Sequence, residues 1–473
     1  MVASEAAPLA RTGGLSDVLG SLPAALRKEG HEVAVVIPRY GSIDVKPMRR
    51  VFDFLPVHYG SARFDTSVYQ APADFPFYLI DCPELYDRKG FYGEDGVDFP
   101  DNHIRFGVFS RAAIGIARHL FYTDIFHCHD WQAGLVPVYL KTTFATDPTF
   151  MGCRSLFTIH NLGYQGLFPP EILPEIGLDN RVYRPDGMEF YGRVSYLKGG
   201  ITYADALSTV SPTYAREIQT PEFGFGLDDT LRARAGVLTG ILNGVDYSNW
   251  SPESDSLISV PYSKDDLSGK HICKRRLIEE FALPERAMER PLAGIVSRFT
   301  SQKGADILAE AAGAFEANDM YLVALGNGEP EYEQAFRDLA SAWPGRIGVR
   351  IGFDNGLSHR IEAGADMFLM PSHYEPCGLN QMYSLRYGTV PVVRATGGLN
   401  DTIEEATGFK FAEYSGVALA RAIGEAAAAW ADPERWRGLM RRGMEQDFSW
   451  GTSARVYSAL YRQLLGRAAG GAV

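Results

Sequence analysis

The chain has 473 residues, too many for one compact core, and its 46% hydrophobic and 22% charged residues are the balance of an ordinary globular protein. A net charge of -12 excludes a general nucleic-acid binder, which needs a basic surface, and no run reaches the ~18 apolar residues of a membrane span. Five scattered cysteines (Cys82, Cys128, Cys153, Cys273 and Cys377), with no CxxC pair, suit reduced thiols in a cytosolic protein.

The first predicted helix opens at a glycine-rich turn in "LARTGGLSDV", and Pro23 inside it is expected to remove one internal hydrogen bond. Buried strands follow in "EVAVVIP", "DIFHCH", "RSLFTIH" and "ALSTVS", with hairpins around "FDFLPVHYG" and "YQAPADFPFYLID". A polar, serine-rich stretch near 245–265 reads as a boundary. Beyond it "LAGIVS", "YLVALG", "IGVRIGF", "DMFLMP" and "VPVVRA" alternate with helix-patterned segments, which predicts a parallel sheet covered on both faces. "FSWGTSARVYSALYRQLL" closes the pattern as an amphipathic helix with Val456, Leu460 and Leu464 on its apolar stripe. The predicted class is α/β, with domains at 1–250 and 251–445 and a final helix and tail at 446–473.

Candidate chemistry lies where strands lead into helices, because ligands of open α/β sheets bind beyond the carboxyl ends of the strands. TGGL occurs at Thr12–Leu15 and again at Thr396–Leu399, each copy followed two residues on by an aspartate, Asp17 or Asp401. Glycines there let backbone N–H groups approach an anion, so one such turn per domain predicts a shared cleft; a plain tight turn is the alternative. Arg298 and Lys303 in "VSRFTSQKG" suit a diphosphate, and the chain has no D-x-D triplet to hold a metal on one. Glu375 in "YEPCGLNQ" projects at a strand end, fit to bind sugar hydroxyls or balance positive charge, with the amides of Gly378 to Asn380 beside it. Cys377 reads as a packed or cleft-lining thiol rather than a nucleophile. His127 and His129 share a strand face and invite a metal reading, but no second cluster matches them. His160, followed by Asn161, is the better site candidate, and "LGNGEP" lacks the third glycine of a dinucleotide fingerprint.

Taken in order, "RTGGLSDV", "HCHDWQAGLVPVYLK", "FTIHNLGYQG", "TVSPTYAREI", "ILNGVD", "VSRFTSQKG" and the long run from "SHRIEAGADMFLMPSHYEPCGLNQ" to "VRATGGLNDT" resemble bacterial glycogen synthases and plant starch synthases along essentially the whole chain. The resemblance implies the GT-B architecture, two Rossmann-like domains facing a deep cleft with the last helix crossing back to the first. It implies retaining transfer of glucose from ADP-glucose to the 4-hydroxyl of an α-1,4-glucan such as glycogen, without metal or pyridoxal phosphate. Carried over by position, Arg11, Gly13, Gly14 and Asp17 fall on the motif that contacts the donor diphosphate and sugar. Arg298 and Lys303 fall on the pair that neutralises the leaving phosphates, and Glu375 on the carboxylate that holds the donor glucose. Cys377, Gly378, Leu379, Gly397 and Gly398 fall on the adjoining substrate contacts. His160 falls near the scissile bond, Asp130 and Asn161 near donor or acceptor, and Asn243 is a further position of the site.

The chain departs from this family's pattern in three places. Arg11 stands where lysine is usual, Phe353 stands where a tyrosine is common beside the adenine, and only "MVASE" remains of a usually fuller first strand, which predicts lost ladder bonds. A UDP-glucose-using synthase and an inactive glucan-binding homologue are the competing expectations. A glucan phosphorylase would need pyridoxal phosphate, and the incomplete glycine fingerprint disfavours a dehydrogenase.

Overall fold

A computed structural model describes residues 1–94 and 96–466, so residues 467–473 of the expected C-terminal segment lie outside the described residues. The chain forms two compact units. One gathers Met1–Val210, Ala215–Gly244 and residues 450–466; the other gathers Ser211–Tyr214 and Val245–Ser449. No helix among the described residues is long and apolar enough to cross a membrane.

In the first unit, strands Ile125–His129, Arg154–Ile159, Ala206–Thr209 and Leu238–Gly240 lie side by side in parallel. Val35–Pro38 pairs in parallel with Phe77–Asp81, and the long hairpin Arg49–Tyr59 and Ala62–Gln70 extends that side antiparallel. Residues 1–3 join the two groups. Val2 N–H donates to His127 O (2.8 Å) and Val2 O accepts from His129 (3.0 Å), while Ala3 N–H donates to Val36 O (3.2 Å) and Met1 O accepts from Val36 (2.9 Å). The brief first strand therefore makes ladder bonds to both neighbours and carries the sheet across. From it the chain moves outward to Val35–Pro38 on one side and later to Ile125–His129 on the other, so the strand order reverses beside "RTGGL".

The helix Gly14–Lys28 continues through Pro23 and buries Val18, Leu19, Leu22 and Leu26. The final helix Trp450–Leu464 shares that core. Its buried face matches the expected aliphatic stripe only in part: Leu460 and Leu464 pack half-buried against the core, but Trp450, Ala454, Tyr457 and Tyr461 form the buried side and Val456 is exposed. Tyrosines can take the inner face where the hydroxyl has a partner, and that of Tyr461 reaches His127 Nδ1 at 2.7 Å.

In the second unit six parallel strands run in the order Ile347–Ile351, Tyr321–Gly326, Leu292–Val296, Met367–Met370, Val390–Arg394, Phe409–Phe411. Counted along the chain this is 3-2-1-4-5-6, the doubly wound dinucleotide-binding order. The four inner strands are nearly continuous apolar runs because both faces are covered, whereas the edge strands carry exposed Arg350 and Lys410. Ala293, Leu322, Ala324, Leu369 and Val392 face one core, and Leu292, Val323, Leu325, Phe368 and Val393 face the other.

Candidate active site

The strand order of the second unit reverses between Leu292–Val296 and Met367–Met370, and the loops leaving these two strands carry the predicted charges. Arg298 is exposed just past the first strand. Lys303 lies one short turn further, and its Nζ sits 2.5 Å from Glu375 Oε2, with Ser372 Oγ donating to the same oxygen at 3.1 Å. The loops are zipped together: His373 N–H donates to Gln302 O at 2.9 Å, and a side chain at Gly304 (φ 76°) would collide with the Pro371 carbonyl. Glu375 is 5% exposed, so its carboxylate is held by Lys303 and Ser372 rather than by solvent.

Beyond Glu375 the chain turns through Gly378 (φ 71°) into the helix Asn380–Arg386, with Leu379 at its N-cap and Cys377 buried. With only seven residues in this helix, anion binding here would rest on local amides more than on a macrodipole. Gln381 Nε2 ties the turn down through Cys377 O (3.0 Å) and Thr402 Oγ1 (3.2 Å), and Asn380 Nδ2 donates to Val296 O (3.0 Å). Phe353, 87% exposed, stands past the end of Ile347–Ile351.

The second TGGL copy follows the fifth strand, away from the reversal, and its glycines abut the Glu375 turn. The Gly398 N–H donates to Glu375 O (3.1 Å) and Pro376 O (3.2 Å). A Cβ on Gly397 would lie 2.8 Å from the Glu375 carbonyl carbon, and one on Gly398 would lie 2.5 Å from Cys377 Cα. The two copies thus occupy different topological positions. In the first unit, a Cβ on Gly13 or Gly14 would meet nothing within 4 Å. The first copy is an open turn at its sheet's reversal; the second is a brace.

The first turn is held from behind by Glu5, buried directly after the opening strand. Glu5 accepts from Thr12 N (2.6 Å) and Thr12 Oγ1 (2.6 Å), and also from the Tyr92 hydroxyl. Arg11 pairs with Asp17 at 3.1 Å; burial pushes the Asp17 carboxyl up, and Arg11 opposes this. Across the reversal, Asp130 follows Ile125–His129 with φ 56°, an unusual backbone for a residue with a side chain. Its Oδ1 accepts from His160 N at 2.7 Å. Burial pushes this carboxyl up to about 7 against the opposing amides of His160 and Asn161. His160 sits at the end of Arg154–Ile159, its Nε2 3.0 Å from His129 Nδ1, and burial holds it down at about 3. Asn161 Oδ1 accepts from Gly163 N at 3.0 Å. Asn243 is buried just past the strand Leu238–Gly240, and its Oδ1 has no hydrogen-bond partner among the described residues.

The structure therefore brings Arg298, Lys303, Glu375, Gly378 and Leu379 together in one unit, and Arg11, Gly13, Gly14, Asp17, Asp130, His160 and Asn161 at the reversal and strand ends of the other. Sequence reasoning passed over Glu5, Tyr92 and Ser372. A lone carboxylate in the apolar run "MVASEAAPLA" was the available sign of Glu5, whereas Tyr92 and Ser372 carry no local signal. Among the described residues no three His, Cys, Asp or Glu side chains gather in a way that could hold a metal ion. The His127 and His129 rings do touch, with centroids 4.1 Å apart and planes tilted by 32°, but His127 is bonded at both nitrogens, to Tyr461 and to Thr158.

Two families match in succession: the starch synthase catalytic domain over residues 1–233 and the glycosyl transferases group 1 over residues 278–438. Fold and matches together define a hexosyltransferase built of two Rossmann-like units, the GT-B class. The chain is 48% identical over 470 residues to a glycogen synthase of Koribacter versatilis, covering 98% of this chain and 97% of that one. It is 50% identical over 476 residues to a glycogen synthase of Anaeromyxobacter dehalogenans, covering 98% of each. The catalytic domain of starch synthase IV from Arabidopsis thaliana, solved with ADP and acarbose, superimposes with a TM-score of 0.91 at 33% identity, covering 98% of this chain and 99% of that one. The chain belongs to the glycogen and starch synthase family.

Proposed function

We propose that this protein transfers glucose from ADP-glucose to the non-reducing 4-hydroxyl of an α-1,4-glucan with retention of configuration. The observation that carries the reading is the reversal point of the six-stranded sheet, where the Lys303 ammonium lies 2.5 Å from the buried Glu375 carboxylate with Arg298 on the same loop as Lys303. A diphosphate leaving a sugar needs fixed positive charge, and the emerging oxocarbenium needs a carboxylate near its ring. Prearranged donors of this kind commonly contribute ~3–4 kcal/mol each to the transition state. Arg298 and Lys303 stabilise the departing β-phosphate, helped by the amides of Gly378 and Leu379. Glu375 orients the glucose, and Gly397 and Gly398 hold its turn from behind.

On the first unit, Arg11, set by Asp17 and the Glu5-braced turn, offers charge to a diphosphate, with Gly13 and Gly14 leaving room for close approach. His160, Asp130 and Asn161 contact the sugar being transferred or the acceptor. The acceptor hydroxyl attacks from the face the phosphate leaves, and a phosphate oxygen takes its proton. Phe353 stacks on the adenine, Asn243 and Cys377 line the substrate, and the reaction calls on no metal and no pyridoxal phosphate. We place the protein in the cytoplasm, in keeping with its five free cysteines. The adenine nucleotide and the glucan are supported by the ADP and acarbose bound to the related starch synthase.

The test is incubation with glycogen and either ADP-glucose or UDP-glucose, reading nucleotide release and glucan mass. ADP release matched by α-1,4-linked glucose is expected. Preference for UDP-glucose overturns the donor, and glucan binding without transfer overturns the enzyme. A folded Glu375→Gln variant is expected to lose most of its turnover; near-normal turnover would remove the role given to that carboxylate.

A further inference from the structure

We infer that His129 is a positioning residue that fixes His160 as its Nδ1–H tautomer, so that His160 meets its ligand as a hydrogen-bond donor at Nδ1. This rests on the reading of His160 as a substrate contact. The two rings meet through His129 Nδ1 and His160 Nε2 at 3.0 Å, so one nitrogen carries the proton and the other accepts it. His129 is fully buried, and its other nitrogen, Nε2, has no partner among the described residues.

The two arrangements are not equivalent. If His160 donated, neutral His129 would carry its proton on Nε2, leaving a buried N–H without an acceptor. Orphaned buried donors are the rarer defect. If His129 donates through Nδ1, only a lone pair is left facing the core. The His160 Nε2 is then the acceptor, and its proton must sit on Nδ1.

The orientation of His129 is in turn fixed by His127, whose ring lies against it with centroids 4.1 Å apart and planes tilted by 32°. His127 is pinned by Tyr461 OH at Nδ1 and by Thr158 Oγ1 at Nε2, and Thr158 bonds onward to Ser208 (2.6 Å). Burial lowers the proton affinity of His127, His129 and His160, so all three rings stay neutral where the enzyme works and the tautomer question is well posed.

The experiment is a long-range 1H–15N correlation spectrum of the histidine-labelled full chain, His160 being assigned by its absence in His160→Gln, together with steady-state kinetics of His129→Asn and His129→Leu. Asparagine places an N–H donor near the position of Nδ1, whereas leucine fills space without one. The expected result is a protonated Nδ1 on His160 in the unsubstituted protein. His129→Asn should keep kcat within about threefold, and His129→Leu should lose about 10- to 100-fold in kcat with little change in KM for ADP-glucose. A protonated Nε2 on His160 overturns the inference, as do equal losses in the two variants or full activity in His129→Leu. The spectrum of the unsubstituted protein decides the tautomer even where a variant folds poorly. Full activity in folded His160→Ala would remove the substrate role of His160 while the spectrum still reports its tautomer, so the two failures are distinguishable.

Discussion

Replacing Gly398 by alanine tests the brace behind Glu375. The added Cβ would stand 2.5 Å from Cys377 Cα and closer still to the Cys377 carbonyl oxygen, where ordinary contact begins near 3.4 Å. Both neighbours are backbone, so no flexible side chain can swing away. Relief requires the Glu375–Cys377 turn to retreat by about 1 Å, and a misplacement of that size at a reacting centre costs on the order of 100-fold in rate. Overpacking of this kind destabilises by ~1–3 kcal/mol, which corresponds to a fall in Tm of roughly 2–12 °C for a unit of this size. The assay is glucose transfer from ADP-glucose to glycogen, with thermal melting alongside. Gly14→Ala is the control, because a Cβ there meets nothing within 4 Å. It should melt no lower than the unsubstituted protein yet raise KM for ADP-glucose, because only a bound phosphate would feel the methyl group. Unchanged kcat in Gly398→Ala would refute the argument, whatever happened to its Tm.

Lys303→Ala should lower kcat by about 100- to 1,000-fold while glycogen affinity changes little; a selective loss of glucan affinity would reassign the lysine. Phe353→Ala should raise KM for ADP-glucose severalfold, in line with ~0.5–1.5 kcal/mol for ring stacking, and leave Tm unchanged because the ring is exposed. An unaltered KM would detach it from the nucleotide. Asp130 titrates near 7 in the folded protein and near 3.8 in the unfolded chain, so the fold holds a proton that the unfolded chain releases between those values. Its stabilising contribution is full below about pH 4 and is lost as pH rises through 7, a few kcal/mol at ~1.4 kcal/mol per tenfold change in proton affinity. Asp130→Asn should flatten that part of the pH-stability profile, and an unchanged slope would refute the assignment.

Much of this was legible along the chain because it is written in local pattern. Unbroken apolar runs announce strands buried on both faces, and the charges at their ends, Arg298, Lys303 and Glu375, fall where strand turns to helix. What escaped was relational. The echo of TGGL suggested equivalent turns, but a four-residue string does not say which strand it follows, and one copy opens a turn while the other packs on a carbonyl. The apolar stripe of the last helix was drawn through Val456, since periodicity weighs aliphatic carbon and overlooks a tyrosine such as Tyr461, whose hydroxyl finds a partner inside. Short as the opening strand is, Met1, Val2 and Ala3 still bond to the strands on both sides, because a parallel strand can bridge two neighbours with few residues once they are in place.

The last helix also bears on how the chain can be made. Trp450, Ala454, Tyr457 and Tyr461 pack into the core built by Leu19, Leu22 and Leu26, more than 400 positions earlier in the chain. During synthesis the amino-terminal half therefore leaves the ribosome with an unfilled seam, while the intervening half can complete its own sheet first. Chains truncated before Trp450 and held on the ribosome by a linker long enough to clear the exit tunnel should show protease resistance in the later half and continued sensitivity in the earlier one, the reverse of the order in which the two emerge.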